Sequence, residues 1–211
     1  MEQNPKQTIQ GLAPIHRLIV YILEKLDREL GAVELVKMVY LIDVEFFRLF
    51  GRSLTGLDYI RHNLGPYTRR ISEAVIDLEE KEKGIVKTHL TLSKGLSSIL
   101  KRSHKLIKEV KFEPELLPEE QEVTSQFLEK AKNLNVKELE KLAYETEPMK
   151  AILEKERKTK TQLNGAGLDF SLIKRDEFMK GWITNRAIEK KDLEYNQFLE
   201  KEREEFSRFI E

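Results

Sequence analysis

Apolar residues recur every three or four positions from Pro14 to Leu30, and this spacing predicts an amphipathic helix with one buried stripe. Gly31 is placed to end that helix. The next segment, residues 32–50, is apolar on almost every side, so it predicts a helix in the middle of a domain. Its few polar residues are Lys37, Asp43, Glu45 and Arg48. Any charge among them that is buried needs a partner.

A polar stretch punctuated by glycines follows the second helix. Gly51 is expected to stop that helix, and residues 52–65 then form an irregular crossing. Gly65 and Pro66 predict the start of a third helix over residues 66–83, because proline in the first turn of a helix sacrifices no hydrogen bond.

The residues after the third helix are rich in β-branched side chains. Residues 85–92 predict one short strand, or a two-stranded β element if residues 52–62 pair with it. Residues 96–110 return to helical spacing and predict another helix. The pattern therefore predicts a mainly α fold, a single helical domain around a buried central helix, with a small β element near residues 85–92.

The second half of the chain is more polar. Asn135 and Glu138 have the spacing of a capping box and predict the start of a helix. Residues 154–167 are expected to form an exposed loop, and a last helix is predicted over about 186–210. We expect residues 151–211 either to pack on a domain formed by residues 14–150 or to serve as an interaction arm. The apolar stripe of the last helix consists of Leu193, Phe198, Leu199, Phe206 and Phe209.

The charged fraction is high, at 35%, yet the 37 basic and 37 acidic residues cancel. No global charge therefore draws the chain to nucleic acid or to an anionic membrane. Charge this dense is typical of thermophile proteins, whose ion-pair networks gain value with temperature. The chain has no cysteine, no long uncharged apolar run and no signal-peptide pattern, so we expect a cytoplasmic protein without disulfides or a membrane span.

Motifs of catalysis and of metal or nucleotide binding are missing from the sequence. There is no HExxH, no GxSxG, no Walker A loop and no GxGxxG. The four histidines, at positions 16, 62, 89 and 104, lack the spacing of metal ligands. Paired carboxylates carry no information in a chain so rich in charge. The sequence therefore predicts no enzyme, no cofactor and no metal site.

The most specific pattern lies within residues 35–71. It consists of LVKMVYLID at residues 35–43, FGRSLTGLDY at residues 50–59 and LGP at residues 64–66. In this order the three pieces resemble the core of the SocA-like antitoxin family, also called the Panacea domain. The resemblance implies a SocA-like helical fold over residues 14–150 and a binding protein rather than an enzyme.

A weaker part of the resemblance lies at residues 139–149. Members of this family usually have a leucine-containing helix ending in Thr-His, followed by an acidic residue, Gly-Pro and a tryptophan. The matching residues here are Leu142, Glu145, Glu147, Pro148 and Met149. Tyr144 stands where the histidine is expected, and Met149 stands where the tryptophan is expected.

The resemblance implies an antitoxin-like protein that neutralises a toxin by direct contact, the toxin being encoded by a neighbouring gene. Arginine and tyrosine are frequent interface anchors, so we predict a partner-binding set within residues 52–70. This set is Arg52, Tyr59, Arg61, Tyr67, Arg69 and Arg70. The family motifs give a second set, predicted to be structural: Tyr40, Asp43, Gly51, Gly56, Gly65, Pro66, Glu147 and Pro148.

Two side-chain roles stay open at this point. Asp43 is expected either to order the crossing, by bonding Tyr59, Thr55 or a backbone amide there, or to make a functional contact. Tyr59 and Tyr67 fit equally well as exposed binding anchors and as core residues. The glycines at 51, 56 and 65 are expected to permit tight turns rather than to touch a ligand.

A DNA-binding regulator is the alternative function. The basic segment 87–111 contains seven lysines and arginines but only one acidic residue, Glu109. With the helix over 66–83 and the strand at 85–92, it has the outline of a winged helix-turn-helix. The helix carries Glu73, Asp77, Glu79 and Glu80, and carboxylates facing phosphates are unfavourable. The sequence therefore favours a protein partner over nucleic acid.

Overall fold

The computed structural model describes residues 12–80, 84–92, 100–107 and 116–210, and the fold is mainly α, as predicted. The described helices are α1 Pro14–Leu26, α2 Ala32–Phe50, α3 Arg69–Glu80, α4 Pro118–Ala131, α5 Val136–Tyr144, α6 Glu147–Thr159 and α7 Glu177–Ile210. The described strands are β1 Leu30–Gly31, β2 Ile60–His62, β3 Gly65–Tyr67, β4 Val86–Leu92 and β5 Leu100–Leu106. A short 3-10 helix covers Phe170–Leu172.

The first two helices are joined by a short turn rather than by a glycine stop. α1 ends at Leu26, and Asp27 caps it in the left-handed conformation at φ 44°. The prediction that Gly31 ends α1 is therefore wrong. Gly31 is the N-cap of α2, and its N–H donates to the Glu34 carboxylate at 3.3 Å, which satisfies a backbone group that the helix leaves free.

α2 is buried along most of its length. Thirteen of its nineteen residues are buried, and the helix packs against α1, α4, α5 and α7. Fully burying one large apolar side chain contributes about 1.5–3 kcal/mol, so this helix is a major source of hydrophobic stability. Three of the buried residues, Glu34, Lys37 and Asp43, carry polar side chains and need partners.

Residues 100–106 form a strand, so the predicted helix over 96–110 is wrong where the structure describes it; residues 96–99 and 108–110 lie outside the described residues. β5 lies between β4 and β1 in an antiparallel sheet of order β1-β5-β4. His104 is buried while Lys105 is exposed, which is the two-residue alternation of a strand. β4 pairs with β5, not with residues 52–62.

Gly65 and Pro66 belong to a β-hairpin rather than to the start of α3. Strands β2 and β3 pair antiparallel, with Arg61 opposite Pro66 and His62 opposite Gly65. Gly65 has φ +90°, a conformation that glycine adopts without strain. The chain therefore turns back once more before α3 begins at Arg69, three residues later than predicted.

The other edge of β2 is covered by a loop from the second half of the chain. The Arg61 N–H donates to the Ala166 carbonyl, and its carbonyl accepts from the Gly165 N–H, both at 2.8 Å. The Leu168 N–H donates to the Tyr59 carbonyl at 2.8 Å. These bonds give the hairpin a third backbone partner and fix its position.

The segment after residue 150 is joined closely to the part before it. Residue 150 falls inside α6, which continues to Thr159, so helix replaces the first part of the predicted 154–167 loop. α7 begins at Glu177, earlier than predicted, and packs against α4 with Ile183 and Ala187 buried. Farther along α7, Leu193 is 58% exposed. The Phe198, Leu199, Phe206 and Phe209 side chains lie outside the described ones.

No helix in the described part of the chain is both long enough and apolar enough to cross a membrane.

The Asn135 capping box is confirmed. The Asn135 side chain accepts from the backbone N–H groups of Lys137 and Glu138, and the Glu138 carboxylate accepts from the Asn135 N–H at 2.7 Å. These reciprocal bonds satisfy the orphan donors at the start of α5.

Two glycine substitutions should separate backbone strain from a side-chain collision. Gly51 and Gly56 have φ of +71° and +70°, so alanine at either position should cost about 1–2 kcal/mol. A Cβ at Gly51 would also collide with the Arg175 guanidinium, which donates to the Arg48 and Leu49 carbonyls at the end of α2. At Gly56 a Cβ would meet nothing within 4 Å.

We therefore expect Gly51→Ala to lower the free energy of unfolding by about 1 kcal/mol more than Gly56→Ala does, because it also displaces these hydrogen bonds. Urea denaturation of the two variants beside the parent protein measures the difference. Equal losses would show that Arg175 moves aside without cost.

Candidate protein-binding surface

The crossing, which in the structure continues to residue 68, runs antiparallel along α2 and contacts it at three positions. Arg52 lies over the Phe46 ring at 4.9 Å, Thr55 bonds Asp43, and the Pro66 carbonyl accepts from Lys37. These positions on α2 are nine residues apart, which corresponds to about 14 Å along a helix. The crossing therefore extends along about half of α2, and its two ends present different surfaces.

Asp43 makes the hydrogen bonds that were expected between α2 and the crossing. Its carboxylate accepts from the Thr55 N–H at 2.9 Å, from the Thr55 hydroxyl, and from the Tyr59 hydroxyl at 2.7 Å. The side chain is fully buried, and burial raises the pKa of Asp43 to about 6 although these bonds oppose the shift. A single carboxylate thus orders both the start and the middle of the crossing.

Tyr40 connects α2 to the start of α6. Its hydroxyl is 2.6 Å from the Thr146 hydroxyl, which also donates to the Ala143 carbonyl at 2.8 Å. Burial raises the pKa of Tyr40, so the phenol stays protonated. The Tyr40 ring lies 5.0 Å from that of Tyr59 and 5.9 Å from that of Phe170, both in edge-on contact.

Lys37, on α2, holds the β2–β3 hairpin by a hydrogen bond. Its ammonium is buried and donates to the Pro66 carbonyl at 2.8 Å. Burial lowers the pKa of Lys37 to about 8, and the nearby Glu140 carboxylate opposes the shift. A Cβ built on Gly65 would lie 3.4 Å from the Lys37 ammonium and 3.5 Å from the Tyr144 ring. These are ordinary contact distances, so the φ of +90° at Gly65, rather than a collision, favours glycine in this turn.

Arg61 anchors the hairpin to α6 and α5. Its guanidinium pairs with Glu156 at 3.1 Å, and it lies 5.5 Å from the centre of the Tyr144 ring. The Tyr144 hydroxyl donates to the Asn63 carbonyl in the hairpin turn at 3.4 Å. Tyr144, which stands at the position of the family's histidine, therefore supports the hairpin with its ring and its hydroxyl.

Glu147 and Pro148 begin α6 and attach it to the end of α2. Arg48 holds the Glu147 carboxylate with two hydrogen bonds, at 2.8 and 3.1 Å. The hydrogen bond from Arg48 lowers the pKa of Glu147 to about 2. Pro148 lies in the first turn of α6, where it costs no helical hydrogen bond. The fourth polar residue of α2 that we singled out, Glu45, is exposed.

The six predicted partner-binding residues do not form one patch. Tyr59 and Arg61 are 2% and 5% exposed and are occupied by Asp43 and Glu156, so they do not reach the surface. Arg52 is exposed at the other end of the crossing, 3.8 Å from Glu120. This leaves Tyr67, Arg69 and Arg70 near the hairpin.

The hairpin surface is the set of exposed and half-buried side chains on and beside β2 and β3. It consists of Ile60, His62, Leu64, Tyr67, Arg69 and Arg70. Leu64 is 49% exposed and Ile60 is 36% exposed, which is high for large apolar residues. The His62 ring lies 5.1 Å from the Tyr67 ring. Arg69 is paired with Glu73 within α3, at 3.1 Å.

A second concave surface lies between α2, α4, α5 and α7. This groove has a volume of about 360 Å³. Its apolar lining includes Leu41, Val123, Phe127, Leu134, Leu142 and Met179. Charged groups, among them Glu45, Arg48 and Asp176, also line it. The groove is the obvious competitor to the hairpin surface for a protein partner.

Sequence reasoning did not find three residues that hold the site together. Glu156 pairs with Arg61, Phe170 stacks on Tyr59 with ring centres 5.7 Å apart, and Thr146 bonds Tyr40. Thr146 lies in the second family motif and is the one with a signal in the sequence. The other two come from segments without a motif, and nothing local marks them.

The raised pKa of Asp43 gives a testable pH dependence of stability. Because the folded-state pKa of about 6 exceeds the usual 3.8, the stability contributed by the protonated form is complete below pH 3.8 and is lost as pH rises through 6. We expect the stability of the parent protein relative to Asp43→Asn to fall by up to about 3 kcal/mol between pH 4 and 7.

Urea denaturation of both proteins across this range measures the effect, since other titrating groups cancel in the difference. Tyr59→Phe is the matched control: it removes one hydrogen bond to Asp43 but keeps the carboxylate, so the pH dependence should persist in it. A pH-independent difference between the parent protein and Asp43→Asn would contradict the raised pKa.

Both stretches that carry the sequence resemblance meet in this region, through the Tyr40–Thr146 and Arg48–Glu147 contacts. A family model described as Antitoxin SocA-like, Panacea domain, matches residues 35–149, which is more than half of the 211-residue chain. No curated protein and no solved structure gives a significant match to the chain. The chain therefore belongs to the SocA-like antitoxin family of Panacea-domain proteins.

Proposed function

We propose that this protein is an antitoxin-like protein that neutralises a toxin by direct protein–protein contact and acts by binding, not by catalysis. Membership of the SocA-like antitoxin family is the observation that carries the proposal. The toxin is proposed to be encoded by a neighbouring gene. The match ends at residue 149, so the proposed contact surface is best sought within residues 35–149.

The hairpin surface is the proposed contact. Strands β2 and β3 pair with each other, Lys37 holds Pro66, and Arg61 is tied to α6, so the surface is ordered before a partner arrives. A preformed surface loses little conformational entropy on binding. Exposed Leu64 and Ile60 offer apolar contact, and Tyr67 and Arg70 are residue types that often dominate binding energy.

The charge of this surface indicates the chemistry of the partner. Arg69 and Arg70 are exposed at the start of α3, and among the described residues Glu73 pairs with Arg69 and not with Arg70. A partner with an apolar centre and carboxylates at its rim would complement this surface. Electrostatic complementarity of this kind mainly raises the association rate and the specificity of a complex.

We also propose that α2 is the central element of the domain and the scaffold for this surface. Its buried side chains Lys37, Tyr40 and Asp43 each contact a different part of the site, namely the hairpin, the start of α6 and the crossing. The hairpin surface therefore depends on one helix that is itself fixed by burial.

Co-expression of this chain with its neighbouring gene tests the proposal. We expect the neighbour alone to arrest growth, and this chain to bind the neighbour's product and restore growth. A pull-down from the same cells measures the complex. A neighbour that leaves growth unaffected, or that is toxic but neither bound nor neutralised, would contradict the antitoxin assignment.

Paired substitutions on two surfaces test where the toxin binds. Leu64→Asp and Arg70→Glu alter the hairpin surface, and both side chains are exposed, so the fold should be kept. We expect each to weaken toxin binding at least about tenfold, since anchor residues are often worth 2 kcal/mol or more. Titration calorimetry with the purified toxin measures the loss.

The matched controls are Leu142→Asp, which places the same change in the groove, and Lys141→Glu, which reverses the charge of the exposed neighbouring side chain on α5. We expect both to bind the toxin as the parent protein does. Loss of binding in the groove variant together with unchanged binding in the hairpin variants would move the interface to the groove.

A further inference from the structure

Strands β4 and β5 form a two-stranded antiparallel ribbon that we call the basic ribbon, with seven residues paired in each strand. From Val86 to Leu106 the sequence has five lysines and arginines and no acidic residue. In a chain whose charges cancel overall, this is a strong local excess of positive charge. The proposed toxin contact does not use it.

The basic ribbon is exposed at residues 90–92 and 101–102. Among the residues that the structure describes, only Ser103 and His104 of β5 pair with β1, while residues 90–92 and 100–102 pair with each other. Leu90 and Leu92 on β4 are 59% and 69% exposed, and Lys101 and Arg102 on β5 are exposed beside them. This part of the ribbon therefore presents both apolar and basic side chains to solvent.

The register of the ribbon places like charges together. Lys87 lies directly opposite Lys105, and both are exposed on the same face as Lys101. None of the three forms an ion pair with a carboxylate within the residues that the structure describes. Like charges directly opposite each other destabilise a sheet, and the Glu29 carboxylate lies within electrostatic reach of Lys105. An anionic ligand would offset the repulsion between the lysines further.

We propose that the basic ribbon is a second binding site, separate from the toxin contact, and that its ligand is duplex DNA. The major groove of DNA admits a two-stranded β-ribbon, and strands are one of the established ways of reading DNA. Lys101 and Lys105 are four residues apart, about 14 Å along a strand. One DNA strand presents about four phosphates over that length of axis.

The surrounding fold favours DNA over an acidic protein as the ligand. When the β2–β3 hairpin is left aside, the chain order α1, β1, α2, α3, β4, β5 and the sheet order β1-β5-β4 are those of a winged helix, in which the β4–β5 ribbon is the wing. The departure is the crossing of residues 52–68, which stands where a helix-turn-helix has a turn of a few residues. DNA binding is therefore assigned to the ribbon rather than to α3.

The acidic residues near the ribbon are engaged within the protein. Glu29 accepts from Ser103 and lies 3.1 Å from His89, on the same face as the lysines. On α3, Glu79 accepts from the Thr88 N–H at 3.0 Å, and Glu73 pairs with Arg69. The Glu29 carboxylate still repels the phosphates of DNA. Removing its charge therefore tests whether this face binds a negatively charged ligand.

Fluorescence anisotropy with a labelled 30-base-pair duplex of mixed sequence, measured from 50 to 200 mM salt, tests the proposal. We expect a dissociation constant in the micromolar range at the lower salt concentrations, weakening steeply as salt rises. Absence of duplex binding at 50 mM salt would overturn the proposal. Equal binding of poly-glutamate, or tighter binding of a single strand or an RNA duplex, would overturn the choice of duplex DNA.

The triple variant Lys87→Ala, Lys101→Ala, Lys105→Ala should weaken duplex binding at least about tenfold at 50 mM salt. The slope of log affinity against log salt should fall by about 3, roughly one unit for each phosphate that the variant no longer neutralises. The matched control is Lys137→Ala, Lys141→Ala, Lys150→Ala, which removes three exposed lysines from α5 and α6. An equal effect of both triple variants would overturn the proposal.

Folding does not confound this comparison. Removing the opposed Lys87 and Lys105 charges should leave the melting temperature unchanged or raise it.

Glu29→Gln should tighten duplex binding by roughly twofold to fivefold, because it removes a negative charge beside the lysines. Weaker binding in this variant would contradict the proposed site.

The toxin assay separates this site from the proposed function. The ribbon triple variant should neutralise the toxin as the parent protein does, since its three lysines lie outside the hairpin surface. Loss of both activities in that variant would mean that one surface serves both ligands, which contradicts a separate DNA site. DNA binding without toxin binding would leave the ribbon assignment standing and refute only the antitoxin proposal.

Discussion

The polar side chains on the buried helix α2 need hydrogen-bond partners, and this need determines how the neighbouring segments pack against it. α2 buries Lys37 and Asp43, and each would cost several kcal/mol without a partner. Their partners are the Pro66 carbonyl and the Thr55 and Tyr59 groups, all in the crossing of residues 52–68. The β2–β3 hairpin is the regular part of the crossing, and these bonds fix the hairpin and the irregular residues before it against α2.

The two proposed binding sites follow from this arrangement in different ways. The hairpin of this surface is held by Lys37 from α2 and by Arg61, which pairs with Glu156 of α6, and its arginines lie at the start of α3 directly after the hairpin. The basic ribbon is attached through β1, α1, α2 and α3, and its residues 90–92 and 100–102 are exposed where the structure describes their side chains. One site is therefore preorganised by buried charge, whereas the other depends on charge that stays in solvent.

Sequence reasoning succeeded where one local rule dominated. The continuous apolar run of α2, the capping box of Asn135 and the partners of Asp43 all follow from short-range pattern and from the cost of burying charge. It failed at residues 100–106, where the two apolar residues, Leu100 and Leu106, have an even spacing that also fits the alternation of a strand. It also failed at Pro66, because proline is tolerated both in the first turn of a helix and in a hairpin. Strand pairing decided both cases, with the adjacent β2 for Pro66 and with β4 and β1 for residues 100–106.

The position of Tyr144 shows why residue type alone could not separate anchors from supports. Its ring lies between Gly65 and Arg61, close to the buried Lys37 ammonium. A histidine at this position would face two positive charges, which disfavour its protonated form and lower its pKa. Tyrosine occupies the space without adding a charge and still donates to Asn63. Tyr59 and Arg61 are likewise committed to buried contacts, so the exposed Leu64 and Arg70 are the side chains that the proposed partner would meet.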